Sequence, residues 1–128
     1  MNLLIVDDNP VVRELVKRLV QTDPEMKVVA EAGDGEEAVR LARELNPDVV
    51  LMDLSMPRLD GIQATQRIKA DRPEAKVVIL TVHADEAYRK AAVESGADGF
   101  LSKKTLAAGL VPTLKAMGPE RPRDGPAG

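Results

Sequence analysis

Val49-Val50-Leu51-Met52 is an unbroken apolar run that stops at a carboxylate, Asp53, before the turn-forming stretch Ser55-Met56-Pro57. A strand with one wet face alternates polar and apolar residues. A run without alternation suits a strand covered on both faces, as in a parallel sheet. Four similar runs lie around it: Leu3-Leu4-Ile5-Val6 and Lys27-Val28-Val29-Ala30 before, Val77-Val78-Ile79-Leu80 and Gly99-Phe100-Leu101 after. The segments between them carry helical spacing. Val12, Leu15, Val16 and Leu19 recur at i, i+3, i+4 and i+7, as do Ala38, Leu41, Ala42 and Leu45. Five strands alternating with five helices predict an α/β fold, a five-stranded parallel sheet with right-handed crossovers, doubly wound so that helices cover both faces.

Start and stop signals agree with that division. Asn9 can cap a helix with Pro10 at its first position, and Asp34 with Glu37 makes a capping-box pattern. Asp85 is a candidate cap, and Asp60-Gly61 reads as a turn and helix entry. Asp23-Pro24, Asn46-Pro47, Arg72-Pro73 and Gly96 end helices. The last helix, expected over 104–117, contains Gly109 and Pro112. A mid-helix proline loses a hydrogen bond and crowds the carbonyl four residues back, here Ala108, at about 3 kcal/mol. That helix is therefore expected to be kinked or late-starting. Residues 1–117 read as one domain, and the Gly- and Pro-rich stretch 118–128 as a flexible tail or linker.

The composition narrows the function. Hydrophobic residues make up 44% and aromatics 2%, so the core rests on Val, Leu, Ile and Ala. A net charge of −3 argues against direct nucleic-acid binding by this chain, which needs a basic face. The absence of cysteine excludes disulfides and thiolate metal sites and fits a reducing, cytoplasmic setting. Asp7, Asp8, Arg13, Glu14, Lys17 and Arg18 all fall within the first twenty residues, so neither a signal peptide nor a membrane span is expected.

In open α/β sheets, ligands bind beyond the carboxyl ends of the strands, at the point where strand order reverses. The first strand ends in Asp7-Asp8, the third in Asp53 and the fourth in Thr81, and Lys103 follows the fifth. The flavodoxin-like order 2-1-3-4-5 is the commonest for five such strands, though the sequence alone does not dictate it. With that order the three carboxylates meet at one edge. They would repel unless a cation neutralised them. Mg²⁺ suits such a site, because it takes oxygen ligands and bridges carboxylates to phosphates. An ammonium and a hydroxyl beside one exposed carboxylate are what phosphoryl transfer needs, since its catalysis is mostly positioning and charge neutralisation. Plainer readings exist for each residue. Asp7 and Asp8 alone could decorate a strand end, Thr81 is at home in a strand, and Phe100 could be simple core.

Leu4-Ile5-Val6-Asp7-Asp8, Asp53-Leu54-Ser55-Met56-Pro57-Arg58-Leu59-Asp60-Gly61, Val77-Val78-Ile79-Leu80-Thr81 and Gly96-Ala97-Asp98-Gly99-Phe100-Leu101-Ser102-Lys103 together resemble the receiver domains of bacterial two-component response regulators. The resemblance runs from Asn2 to about Met117 and leans toward the transcription-factor-linked LuxR/NarL-like group. It implies that Asp53 accepts a phosphoryl group from the phosphohistidine of a sensor histidine kinase. It implies Mg²⁺ on Asp8, Asp53 and the Ser55 carbonyl, with Asp7 acting through a water. Thr81 and Lys103 would hold the phosphoryl group, Phe100 would swing inward behind it, and Ser55 and His83 would tune its lifetime. The output surface would lie around strand five and its flanking helices, with homodimer formation on phosphorylation. Such a chain is a switch rather than an enzyme, catalysing only its own phosphorylation and dephosphorylation.

Two departures stand out. The family often has proline with a cis peptide after the lysine; in this chain Lys104 follows. Gly109 and Pro112 interrupt the last helix, which many relatives use to dimerise. A dehalogenase-like phosphatase would need a second Asp where Ser55 stands. A flavin site would need a phosphate loop where Asp7-Asp8 would repel phosphate. The remaining choice is between the regulatory half of a DNA-binding protein, slightly preferred, and a standalone receiver acting by protein contact.

Overall fold

The computed structural model describes residues 1–54, 56, 59–82 and 86–117. Strands β1 (Asn2–Val6), β2 (Lys27–Ala32), β3 (Val49–Asp53), β4 (Lys76–Thr81) and β5 (Gly99–Ser102) alternate with helices α1 (Pro10–Val20), α2 (Gly35–Leu45), α3 (Gly61–Asp71), α4 (Glu86–Glu94) and α5 (Leu106–Ala116). All strand pairs are parallel, and the order is β2-β1-β3-β4-β5. The expected doubly wound fold with five helices is the one found.

Each strand feeds two cores, because successive side chains point to opposite faces. Leu4, Val6, Val50, Met52, Val77 and Ile79 pack beneath Ala38, Ala42, Ala64, Ile68 and Ala92 of α2, α3 and α4. Leu3, Ile5, Val49, Leu51, Val78 and Leu80 pack against Val16, Val20, Leu106, Leu110 and Leu114 of α1 and α5. Every residue of β3, the central strand, is buried. That burial explains why its sequence does not alternate.

The helix starts follow the capping logic. Asn9 Oδ1 accepts from the Val11 amide at 2.9 Å, with Pro10 at the first position of α1. Asp34 Oδ1 accepts from Glu37 N at 2.8 Å, while Glu37 Oε1 takes the Gly33 amide, one residue outside the usual box. Asp60 caps α3 through Gln63 N. Asn46, after α2, takes the left-handed conformation (φ 51°) that asparagine tolerates better than most residues. Asp85 lies outside the described residues, as does the stretch 118–128.

The last helix differs from the 104–117 span. A single 3-10 turn, Lys103–Thr105, precedes α5, which begins at Leu106 and continues through Pro112 to Ala116. Pro112 and Ala108 both lie on the exposed side, where water can take up the released carbonyl. On the opposite side Leu106, Leu110 and Leu114 are buried. Burying a leucine is worth about 2 kcal/mol, so the three together outweigh the proline's ~3 kcal/mol. No peptide bond among the described residues is cis, including the one joining Lys103 to Lys104.

Candidate functional site

The strand register builds the site. β1 and β3 are neighbours, with Val6 opposite Met52, so the residues that follow, Asp7 and Asp53, emerge side by side. Carboxylate oxygens of Asp7, Asp8 and Asp53 lie within 4.8 Å of one another. From beyond β5, Lys103 Nζ reaches into the group, 2.7 Å from Asp7 Oδ2 and 2.9 Å from Asp53 Oδ1. Thr81 ends β4 and is buried, with a relative exposure of 2%. The four predicted charged residues thus converge.

Their surroundings differ. Asp7 is buried and tied at every polar atom. Its amide donates to Ala32 O, Oδ1 accepts from Asn9 N, Oδ2 accepts from Lys103, and its carbonyl accepts from Arg13 Nη1 at 2.5 Å. Asp8 is exposed. Asp53 is 6% exposed. Burial, only partly offset by Lys103 and reinforced by the charges of Asp7 and Asp8, pushes its carboxyl above the usual range. Burial pulls the Lys103 ammonium down, but its hydrogen bonds to Asp7 and Asp53 prevail and hold it above the ordinary lysine value.

Gly61 is required by close approach. A Cβ there would overlap the Asp53 carbonyl oxygen and stand 2.9 Å from Leu54 Cα. The Gly61 amide also donates to Leu54 O at 2.9 Å, which draws the start of α3 against the end of β3. Phe100, on β5, is half-buried, with the Arg89 guanidinium 5.6 Å from its ring centroid. Ser55 and His83, both named from sequence, lie outside the described residues.

Sequence reasoning misses Arg13. Its side chain leaves α1, pairs with Glu31 of β2 at 3.0 Å and grips the Asp7 carbonyl. Only a charged residue one turn into the first helix, with an acidic residue on the second strand, could have signalled this.

An all-oxygen cluster of three carboxylates, one of them solvent-facing, has the donor chemistry of a small hard cation. The neighbouring lysine adds the charge that a phosphate would meet.

A family model for the response regulator receiver domain matches residues 3–115. The chain belongs to the response regulator receiver family. The transcriptional regulatory protein DegU of Brevibacillus brevis is 40% identical over 117 residues, which are 91% of this chain and 50% of that protein. A LuxR-family two-component response regulator from Aurantimonas sp. SI85-9A1 superposes with a TM-score of 0.87 at 42% identity, over 91% of this receiver and 83% of that chain. A chain from the CheX-CheY-BeF3-Mg+2 complex of Borrelia burgdorferi has a TM-score of 0.85 at 27% identity, over 91% and 87% respectively. The receiver spans about half the length of the curated relatives it matches. Among its described residues no helix is long and apolar enough to cross a membrane.

Proposed function

We propose that this receiver domain is a phosphorylation switch whose acceptor is Asp53. The observation that carries the reading is Lys103 bridging Asp7 and Asp53 beside the exposed Asp8, an arrangement that needs separate chain segments to meet.

In the proposed reaction a carboxylate oxygen of Asp53 attacks the phosphorus of a kinase phosphohistidine, in line with the P–N bond. That bond breaks, and the imidazole leaves with its electron pair. The product is a mixed anhydride on Asp53. Lys103 turns from the carboxylates toward a phosphoryl oxygen, and the Thr81 hydroxyl donates to another. Asp8, Asp53 and the Ser55 carbonyl would hold Mg²⁺, with Asp7 acting through a water. Bound there, the ion neutralises charge on the carboxylates and on the transferring group. Asp7 suits the indirect role, because both its carboxylate oxygens are already engaged by Asn9 N and Lys103. The named Mg and BeF3 of the Borrelia complex support the same cation and the same type of acceptor.

A phosphoryl group adds roughly −1.5 to −2 charges. In this reading Thr81 follows it, Phe100 turns inward from beneath Arg89, and the surface around β5 and its flanking helices changes partner, with homodimer formation as one output. The chain acts on no substrate but itself. Its partner is a sensor histidine kinase, which implies a cytoplasmic location. Because the relatives named as transcriptional regulators are about twice as long, the receiver is read as the regulatory half of a DNA-binding protein. With its net charge of −3, it does not itself touch DNA. A standalone receiver acting by protein contact is the alternative, and the size of the natural gene product separates the two.

The test is incubation with a small phosphodonor and Mg²⁺, read by intact mass. One phosphoryl group should appear, be lost to hydroxylamine, and be absent in Asp53→Asn or with chelator. Unmodified protein under conditions that label a control receiver overturns the reading.

A further inference from the structure

The exposed Asp8 carboxylate sits within 4.8 Å of two others, yet among the described residues no ion pair reaches it. Among the described residues Lys103 pairs with Asp7 and Asp53 and not with Asp8. Repulsion favours turning Asp8 outward to water, so a contact that fixes the backbone next to it bears on where its carboxylate sits. The peptide joining Asp7 to Asp8 carries the Asp7 carbonyl, and Arg13 Nη1 holds that carbonyl at 2.5 Å. The same guanidinium is anchored through Nε to Glu31 Oε1 at 3.0 Å, and Glu31 Oε2 is held in turn by Lys17 at 2.9 Å. A planar, rigid fork that meets two acceptors at once suits this task, and a lysine ammonium on a flexible stem does not reproduce it.

We propose that Arg13 is a positioning residue for the cation site. By fixing the plane of the Asp7–Asp8 peptide from α1 and β2, it keeps the Asp8 carboxylate turned toward Asp53. The inference rests on the reading of these carboxylates as a Mg²⁺ site. Its consequence runs opposite to simple electrostatics. A positive charge beside a cation site weakens cation binding, so deleting it should tighten binding; deleting a positioning group should loosen it.

The experiment is calorimetric titration of the whole chain with Mg²⁺ alone, without phosphodonor. Arg13→Gln should weaken Mg²⁺ binding by roughly tenfold, the scale seen when groups that orient metal ligands are lost. Arg13→Lys, which keeps the charge but not the fork, should weaken it by several-fold. Lys17→Gln, which removes a charge from the same network without touching Asp7, should stay within about twofold of the parent. Equal or tighter binding by Arg13→Gln, or parental binding by Arg13→Lys, overturns the proposal. If Arg13→Gln does not fold, Arg13→Lys alone decides. A parent chain that binds no Mg²⁺ would sink the cation site itself and this inference with it. A parent that binds, alongside an unimpaired Arg13→Lys, removes only the role of Arg13.

Discussion

Lys103 and Asp7 stand 96 positions apart along the chain and 2.7 Å apart in space. The ammonium spans the first and last strands of the chain and crosses over Asp53 on the way. It is the one positive charge paired to the buried carboxylates among the described residues.

Lys103→Met should therefore cost stability at neutral pH. Removing one partner of a buried pair typically costs about 3–5 kcal/mol; since Lys103 is partly solvated, a loss of roughly 1–3 kcal/mol is expected. Mg²⁺ should raise the melting temperature of this variant more than that of the parent, because a cation then replaces the missing charge. Melting curves with and without Mg²⁺ check this. Equal shifts in both proteins would show that Lys103 does not compete for the same oxygens.

Asp53→Asn should stabilise the fold in the presence of chelator, and the gain should depend on pH. The Asp53 carboxyl is raised in the folded state, mainly by burial. A raised folded value means the native state binds the proton more tightly than the unfolded chain does. The stability this confers is present below the ordinary carboxylate range and is lost as pH rises through the raised value. The parent suffers that loss and the Asn variant does not. Urea midpoints should therefore separate at neutral pH and converge in acid. A gap that widens in acid would contradict burial as the cause of the shift.

Thr65 is fully buried on α3, and its hydroxyl is the one buried side-chain polar atom without a hydrogen-bond partner among the described residues. Thr65→Val keeps the shape and removes the unsatisfied group, so it should stabilise by about 1 kcal/mol. A lowered urea midpoint would indicate that the hydroxyl has found a partner.

Gly61→Ala places a methyl against the Asp53 carbonyl and should destabilise by about 1–3 kcal/mol. It should also weaken Mg²⁺ binding, since the backbone displaced is that of Asp53. Gly33→Ala is the contrast. Its nearest neighbour would be Arg13 Nη1 at 3.9 Å, an ordinary contact, so melting should change little.

How much of the molecule is legible in its sequence follows from what kind of interaction each feature uses. The strands announce themselves through unbroken apolar runs, and the carboxylates and Lys103 through their places at strand ends. Asn9, Asp34 and Asp60 cap helices as their side chains dictate. Arg13 escapes because its partner is a main-chain carbonyl, a group every residue carries and no sequence distinguishes. The local cost of Pro112 is visible in the sequence, but the compensation is tertiary. The burial of three leucines that outweighs it lies on the far side of the same helix. The strand order has to come from the structure, since five alternating units fit more than one winding.

The unevenness of burial across the sheet has a mechanical result. β3 is sealed on both faces, while each residue of β5, two strands away, is only half covered. Close-packed interiors yield little and pass strain on. A push delivered at the tip of the central strand meets an anvil, and the slack to absorb it lies at the β5 margin.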